Sequence, residues 1–191
     1  MSRRFPVLGS FLLLLAVGTT ARAAEEFRGH IVDTPQVTRA AAGFFTLHVD
    51  QWGTDDEARA YLQTLRDEGQ EALQKAFSHS REAGWIKIGT QLGYSISFAR
   101  TFDTPEGRVV RAFTDRPIQF FELRNGLRSA DYPLGIVEIR FDAKGKGSGT
   151  LIAAASAKFN ESGQLELENW GTQPFKLVNI KAEPAKDKRK K

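Results

Sequence analysis

The stretch of chain after Gly84 most constrains the fold, because short segments of alternating apolar and polar residues follow one another with turn residues between them. Alternation with a period of two is typical of strands with one buried face, and links of hairpin length favour antiparallel pairing. Strand and helix patterns do not alternate along the chain, which disfavours a doubly wound parallel sheet. We therefore predict an α+β fold that is mainly β, with an antiparallel sheet of about eight or nine strands that forms a barrel or a sandwich.

One segment, residues 54–80, has helical spacing and is predicted to pack on the sheet. Thr54 and Glu57 have the spacing of a capping box, which favours a helix start at this point. Gly69 interrupts the apolar pattern, so the segment is predicted to be a helical pair, or one helix bent at this glycine.

Three strand predictions bear on the site described below. Leu165 and Leu167 alternate with glutamates, which predicts a strand with both leucines buried on one face. Residues 118–123 and residues 175–181 are also predicted to be strands.

The first 23 residues have the composition of an export signal. Two arginines precede an apolar run over residues 5–17, and Ala21 and Ala23 are the small residues that signal peptidase requires. The run is shorter than the roughly 20 residues needed to span a bilayer. We expect cleavage before Ala24, a mature single domain over residues 24–182 with no transmembrane segment, and a periplasmic or extracellular location.

The net charge of +4 is unevenly distributed along the chain. Residues 24–180 contain 18 basic and 21 acidic side chains, whereas residues 181–191 contain six basic and two acidic ones. A mildly acidic body with interspersed signs disfavours a nucleic-acid partner. Residues 183–191 are predicted to be a disordered basic tail, which is either a solubilising end or a weak contact with anionic envelope surfaces.

The composition excludes several kinds of site. The chain contains no cysteine, which excludes a thiol nucleophile, a cysteine metal site and a lipid-modified cysteine. The three histidines lack the short spacing of a zinc motif. Gly145, Gly147 and Gly149 alternate, but a predicted strand follows them, so they indicate a flexible hairpin and not a nucleotide-binding loop. The sequence implies no cofactor and no metal ion.

His48 and Asp50 are the only candidates for catalytic residues. As alternate residues of a predicted strand they share a face, where the carboxylate can orient the imidazole as a general base. The nucleophile element that such a pair would activate is missing from the sequence. Two polar residues on a solvated strand face explain the pair equally simply, and this is the commoner arrangement.

Small residues mark a second candidate site on the predicted sheet. Ser95, Ser97 and Ala99 are predicted to share one strand face, and the strand around Ala155 has small residues on both faces. Such faces allow close approach by a helix or by a ligand. Packing of the helical segment is the favoured explanation, and Ser95, Ser97 and Ala155 are the candidate ligand-binding residues if a ligand lies there.

The third candidate is the segment 114–133, where charged residues lie beside aromatic ones. Asp115, Arg116, Arg128, Asp131 and Tyr132 are suited to binding an anionic or polar ligand, since guanidinium groups bind carboxylates through two parallel hydrogen bonds. Ion pairs that fix the loop, such as Asp115 with Arg128, are the commoner use of these groups.

Parts of this segment, with residues 165–170 and Pro174, carry a family resemblance. Residues 115–118, residues 128–133 and Leu165-Glu-Leu-Glu-Asn-Trp170 are similar to a family of exported bacterial single-domain proteins of unknown function. The resemblance covers most of the mature chain and implies a complete secreted domain. Its motifs are not catalytic signatures, and the family implies no activity, cofactor or site residue.

Three functional hypotheses follow. The leading one is an exported, non-enzymatic binding domain for a small or apolar ligand or for an envelope protein partner. The second is a hydrolytic or isomerising enzyme that uses His48, Asp50 and the 115–132 loop. The third is a cell-envelope interaction protein that uses its basic tail.

Overall fold

The computed structural model describes residues 22–32, 43–90, 92–118, 131–169 and 174–185. Within these ranges the chain forms ten strands and two helices, in the order β1 (Glu25–Val32), β2 (Gly43–Val49), α1 (Asp55–Glu68), α2 (Gln70–Ser78), β3 (Gly84–Ile88), β4 (Tyr94–Ile96), β5 (Phe98–Thr104), β6 (Gly107–Phe113), β7 (Leu134–Asp142), β8 (Gly147–Phe159), β9 (Leu165–Asn169) and β10 (Phe175–Pro184). The predicted α+β, mainly β fold is confirmed. No helix in the described ranges is long and apolar enough to cross a bilayer.

The sheet is antiparallel throughout and curls into a nearly closed barrel. Its strand order is β4-β3-β2-β1-β10-β8-β7-β6-β5, and β9 pairs with β8 off this path. The two end strands, β4 and β5, are consecutive in the chain and separated only by Ser97. The backbone N–H of Ser97 donates to the carbonyl oxygen of Phe113 at 2.8 Å. One stretch of chain therefore pairs with β3 on one side and with β6 on the other, which brings the two ends of the sheet together.

Large apolar side chains fill the barrel interior. Phe27, Leu47 and Ile86 are completely buried there, and burial of each such side chain contributes about 1.5–3 kcal/mol. Arg108 packs beside this core, where it donates two hydrogen bonds to Glu25, at 2.8 and 3.1 Å.

A second apolar cluster lies on the outer face of the barrel, beneath the helices. Leu65 of α1 and Leu73 and Phe77 of α2 pack there against strand residues. The capping box at Thr54 is present in full. Gly69 separates the helices with φ of 86°, a backbone conformation that favours glycine, so the segment consists of two helices.

The predicted face shared by Ser95, Ser97 and Ala99 is wrong. The strand bends at Ser97, between β4 and β5, and the alternation of faces restarts there. Ser95 is exposed, Ser97 is buried at the bend and Ala99 belongs to the barrel interior. The closure of the barrel requires this bend, which a single-strand pattern does not reveal.

The predicted burial of Leu165 and Leu167 is also wrong, since each side chain is 45% exposed. The strand β9 itself is present, but among the described strands it pairs with β8 alone. The described residues cover the two leucines only in part, so they lie at the edge of the outer apolar cluster.

Three further predictions need correction or fall outside the structure. The glycines do belong to a hairpin, formed by β7 and β8 with Gly145 next to its turn, but Gly147 and Gly149 already lie in the strand β8. β10 continues to Pro184, where it pairs with Glu25, so the first residues of the predicted disordered tail are strand. Residues 186–191 of that tail, and residues 119–123 of the strand predicted at 118–123, lie outside the described residues.

Candidate ligand cavity between the helices and the sheet

An apolar cavity of about 180 Å³ lies between the two helices and the outer face of the barrel. Six helical residues form its roof, namely Ala58, Tyr61, Leu62, Leu65, Leu73 and Phe77. The floor and mouth come from β5 to β9, through Phe98, Arg100, Phe102, Arg111, Phe113, Leu134, Ile136, Ala157, Leu165 and Leu167. The cavity therefore occupies the seam between the helical layer and the sheet.

The roof contributed by α1 is an incompletely buried apolar stripe. Ala58, Tyr61, Leu62 and Leu65 recur at the spacing that places residues on one helical face. Leu65 is the single buried residue of α1, and Leu62 is 43% exposed. Part of this apolar stripe is therefore exposed to solvent.

Five aromatic residues line the cavity, and four of their rings contact one another. The ring of Tyr61 lies edge-on to Phe77 and Phe98, with centroids 4.8 and 5.2 Å away. Phe113 lies 6.0 Å from Phe77 and 6.2 Å from Phe98. Aromatic pairs at such distances contribute beyond the area they bury, and together they form a rigid apolar wall.

Tyr61 also carries the one ionisable group of the roof. Burial, with a smaller contribution from the negative charge of Glu57, raises the pKa of the Tyr61 hydroxyl, and a hydrogen bond with Ser80 opposes this effect. The hydroxyl therefore stays neutral at ordinary pH and keeps the wall uncharged.

Two arginines stand at the mouth. Arg100 of β5 and Arg111 of β6 are direct cross-strand partners. Arg100 forms an ion pair with Asp55 at the start of α1, and Nε of Arg111 donates to Glu138 at 2.7 Å. Both guanidinium groups lie over the ring of Phe102, with 6.0 and 5.1 Å from the central carbon to the ring centroid.

Glu138 is shared between Arg111 and Arg140, which lie 2.7 Å from its two carboxylate oxygens. Burial acts to raise the pKa of Glu138, but the hydrogen bonds and positive charges of the two arginines outweigh it and hold the pKa below its ordinary value. The carboxylate therefore stays charged across the neutral range, and it satisfies only part of the positive charge at the mouth.

A larger depression, of about 540 Å³, lies around the β5–β6 and β7–β8 hairpins. It is open to solvent and bordered by charged side chains of both signs, including Glu106, Arg140, Asp142 and Lys146. The smaller cavity is instead lined mostly by apolar and aromatic side chains, so we place the candidate site there.

The three small residues predicted from the sheet pattern do not line this cavity. Ala155 is completely buried in the cluster beneath the helices, as the helix-packing interpretation predicts. The carbonyl of Ser97 accepts a hydrogen bond from Ser80 at 3.0 Å, which ties the bend to the end of α2. Ser95 is exposed on β4.

The described ends of the predicted polar segment, residues 114–118 and 131–133, lie against α2 and do not line the cavity. The amide nitrogens of Gln74 and Gln70 donate to the backbone carbonyls of Asp115 and Asp131, at 3.2 and 3.1 Å. These two hydrogen bonds fasten both sides of the segment to the helix.

The remaining residues of that predicted site are separated. The guanidinium of Arg116 lies over the ring of Tyr94 at 5.7 Å. Asp131 and Tyr132 border a polar depression with Glu68, Glu71 and Glu168 of neighbouring elements. Arg128 lies outside the described residues, so its pairing with Asp115 stays a prediction.

His48 lies on the outer face of the barrel, away from the helices' apolar cluster. Its Nδ1 is 3.3 Å from a carboxylate oxygen of Glu26, and its Nε2 is 3.0 Å from one of Asp50. The ring is buried and stacks on Trp85 with centroids 5.1 Å apart. The predicted proximity of His48 and Asp50 is present, but each ring nitrogen already faces a carboxylate. Catalysis by this pair stays a prediction without a geometric argument behind it.

Sequence reasoning missed the arginines at the mouth. Phe98, Arg100 and Phe102 alternate in the sequence, as do Arg111 and Phe113. This pattern of aromatic and cationic residues on one strand face was the available signal. The pattern indicates a common site only together with the strand register, which places Arg100 opposite Arg111.

No protein-family model, curated protein or solved structure matches this chain. The resemblance to a family of exported bacterial proteins therefore stays an expectation, and the function is inferred from geometry.

Proposed function

We propose that this protein is an exported, non-enzymatic binding protein that holds a small molecule with an apolar body in the cavity beneath α1. The observation that carries the proposal is the apolar cavity of about 180 Å³, walled by aromatic rings and roofed by a helix that leaves Leu62 partly exposed. Exported binding is the leading hypothesis from the sequence, and the apolar lining of this cavity supports it.

The volume of the cavity limits how much of a ligand it can enclose. An apolar cavity of about 150 Å³ admits benzene, so this one accommodates a single aromatic ring or a branch of about six carbons. Sites for larger ligands measure roughly 300–1,000 Å³. A longer body therefore requires α1 to move outward.

The attachment of α1 is suited to such movement. Leu65 is its single buried residue, whereas α2 buries Leu73 and Phe77. The side chain of Gln70 in α2 also accepts a hydrogen bond from the backbone N–H of Ala157 at 2.8 Å. The two helices are joined at Gly69, so α1 can shift while α2 remains on the sheet.

The test is toluene binding followed by NMR of ¹³C-labelled leucine methyl groups. In the wild type, we expect toluene to shift the methyl signals of Leu62, Leu65 and Leu73. Ala58→Leu places extra carbons in the cavity and should abolish these shifts. Ala60→Leu on the exposed side of α1 is the matched control and should preserve them.

The methyl spectra also report whether each variant is folded, so loss of structure is not mistaken for loss of binding. Absence of cavity-methyl shifts in the wild type, or equal shifts in Ala58→Leu, would overturn the proposal.

A further inference from the structure

We propose that the ligand is an amphipathic carboxylate, whose charged group binds Arg100 and Arg111 while its apolar body lies under α1. This inference rests on the proposed function, because it names the class of ligand for the same cavity.

The first argument is the placement of two like charges. Arg100 and Arg111 are directly opposite each other in the β5–β6 register. Like charges in this position destabilise a sheet. Asp55 and Glu138 each offset part of this repulsion, and an anion between the two guanidinium groups offsets more of it, which favours anion binding at the mouth.

The second argument is the capacity of the two guanidinium groups to donate further hydrogen bonds. Nε of Arg111 donates to Glu138, and one terminal nitrogen of Arg100 contacts Asp55. Their other N–H groups have no hydrogen-bond partner among the residues that the structure describes. A guanidinium binds a carboxylate best through two parallel N–H donors.

The third argument is the charge of the cavity lining. Among the described residues that line the cavity, Arg100 and Arg111 are the only charged ones. Their carboxylate partners, Asp55 and Glu138, lie outside this lining. A ligand in the cavity therefore meets positive charge at the mouth.

The fourth argument is the distance between the charged and apolar parts. Phe98 and Phe113 are cross-strand partners two residues from the arginines, on the same face. Two residues of strand span roughly 7 Å. A ring between the two phenylalanines and α1 therefore lies close enough to the guanidinium groups for a short alkyl chain to connect it to a carboxylate bound there.

The test compares three compounds with one tail by NMR titration: 3-phenylpropionate, 3-phenylpropan-1-ol and 3-phenylpropylamine. We expect the carboxylate to bind the wild type about tenfold more tightly than the alcohol, since hydrogen bonds to charged groups are the stronger ones. The amine should bind most weakly because the mouth is cationic.

Arg100→Met and Arg111→Met keep an apolar stem and should each reduce the preference for the carboxylate over the alcohol. Arg140→Met is the matched control, because Arg140 also pairs with Glu138 but does not line the cavity. It should retain the preference.

The outcomes separate this inference from the proposed function. Equal binding of carboxylate and alcohol, or an equal loss of preference in Arg140→Met, overturns the inference and leaves the cavity as a binding site. If none of the three compounds shifts the cavity methyl groups, the inference and the proposed function both fail.

Discussion

At the scale of single residues, the space around a glycine decides whether the chain tolerates a side chain at that position. A Cβ at Gly149 would lie 2.1 Å from the carbonyl oxygen of Glu138, whereas one at Gly43 would meet nothing within 4 Å. We expect Gly149→Ala to lower the free energy of unfolding by at least about 2 kcal/mol. Gly43→Ala should change it by less than about 1 kcal/mol. Urea unfolding measures both, and equal effects would contradict the assigned packing of β8.

The Glu25–Arg108 pair makes stability depend on pH. Burial acts to raise the pKa of Glu25, but hydrogen bonds from Arg108 and Arg22 prevail and lower it. A carboxyl whose pKa is lower in the folded state stabilises the fold above its unfolded pKa, and this contribution disappears as pH falls through the folded pKa. Arg22 precedes the predicted cleavage site, so Arg108 is the partner that would remain after such cleavage.

We therefore expect Glu25→Gln to lower the free energy of unfolding by about 2 kcal/mol at pH 7. The difference from the wild type should shrink progressively below about pH 4.5. Glu183→Gln is the control, since Glu183 is exposed and its nearest arginine contact is 3.6 Å. A difference that stays constant from pH 7 to pH 3 would show that the charge of Glu25 is not the stabilising feature.

At the scale of elements, the two helices differ in how firmly they are held. α1 buries Leu65 alone and is attached to the sheet through the Asp55–Arg100 ion pair and the contact of Arg66 with Phe159, whereas α2 buries two residues and is attached through Gln70 and Gln74. Segments with few buried contacts open more readily than the core. We therefore expect α1, and not α2, to move when the proposed ligand binds.

Hydrogen–deuterium exchange can measure this difference. We expect protection factors in α1 to be about tenfold lower than in α2, which corresponds to about 1.4 kcal/mol in opening free energy. Saturating toluene should raise the protection of α1 and leave the barrel strands unchanged. Equal protection in the two helices, with or without toluene, would contradict a movable α1.

At the scale of the whole molecule, the barrel depends on pairing between the two ends of the domain. Glu25 and Glu26 of β1 pair with Pro184 and Glu183 of β10, and the N–H of Ala185 donates to the carbonyl of Ala24 at 3.0 Å. This pairing joins the first strand to the last and extends into the predicted tail.

Truncation of the C-terminal residues tests whether β10 extends to Pro184. A chain that stops after Lys181 loses this pairing and should melt about 5 °C lower, since each lost hydrogen bond contributes about 1 kcal/mol. A chain that stops after Ala185 keeps the pairing and should melt like the full protein. Equal melting temperatures for the two truncations would contradict the extended β10.

The amino-acid sequence by itself determined the local features of this protein. The capping box at Thr54, the break at Gly69 and the antiparallel class of the sheet all follow from residue spacing, because each depends on neighbours a few positions apart.

Only the tertiary structure decided the barrel and the site. The bend at Ser97 is required by closure of the sheet. The partial exposure of Leu165 and Leu167 follows from their position at the edge of the apolar cluster beneath the helices. The pairing of Arg100 with Arg111, at the mouth of a cavity roofed by a helix about 40 positions earlier in the chain, depends on strand register and on helix docking. These relations join residues far apart in the chain, so residue spacing in the sequence does not contain them.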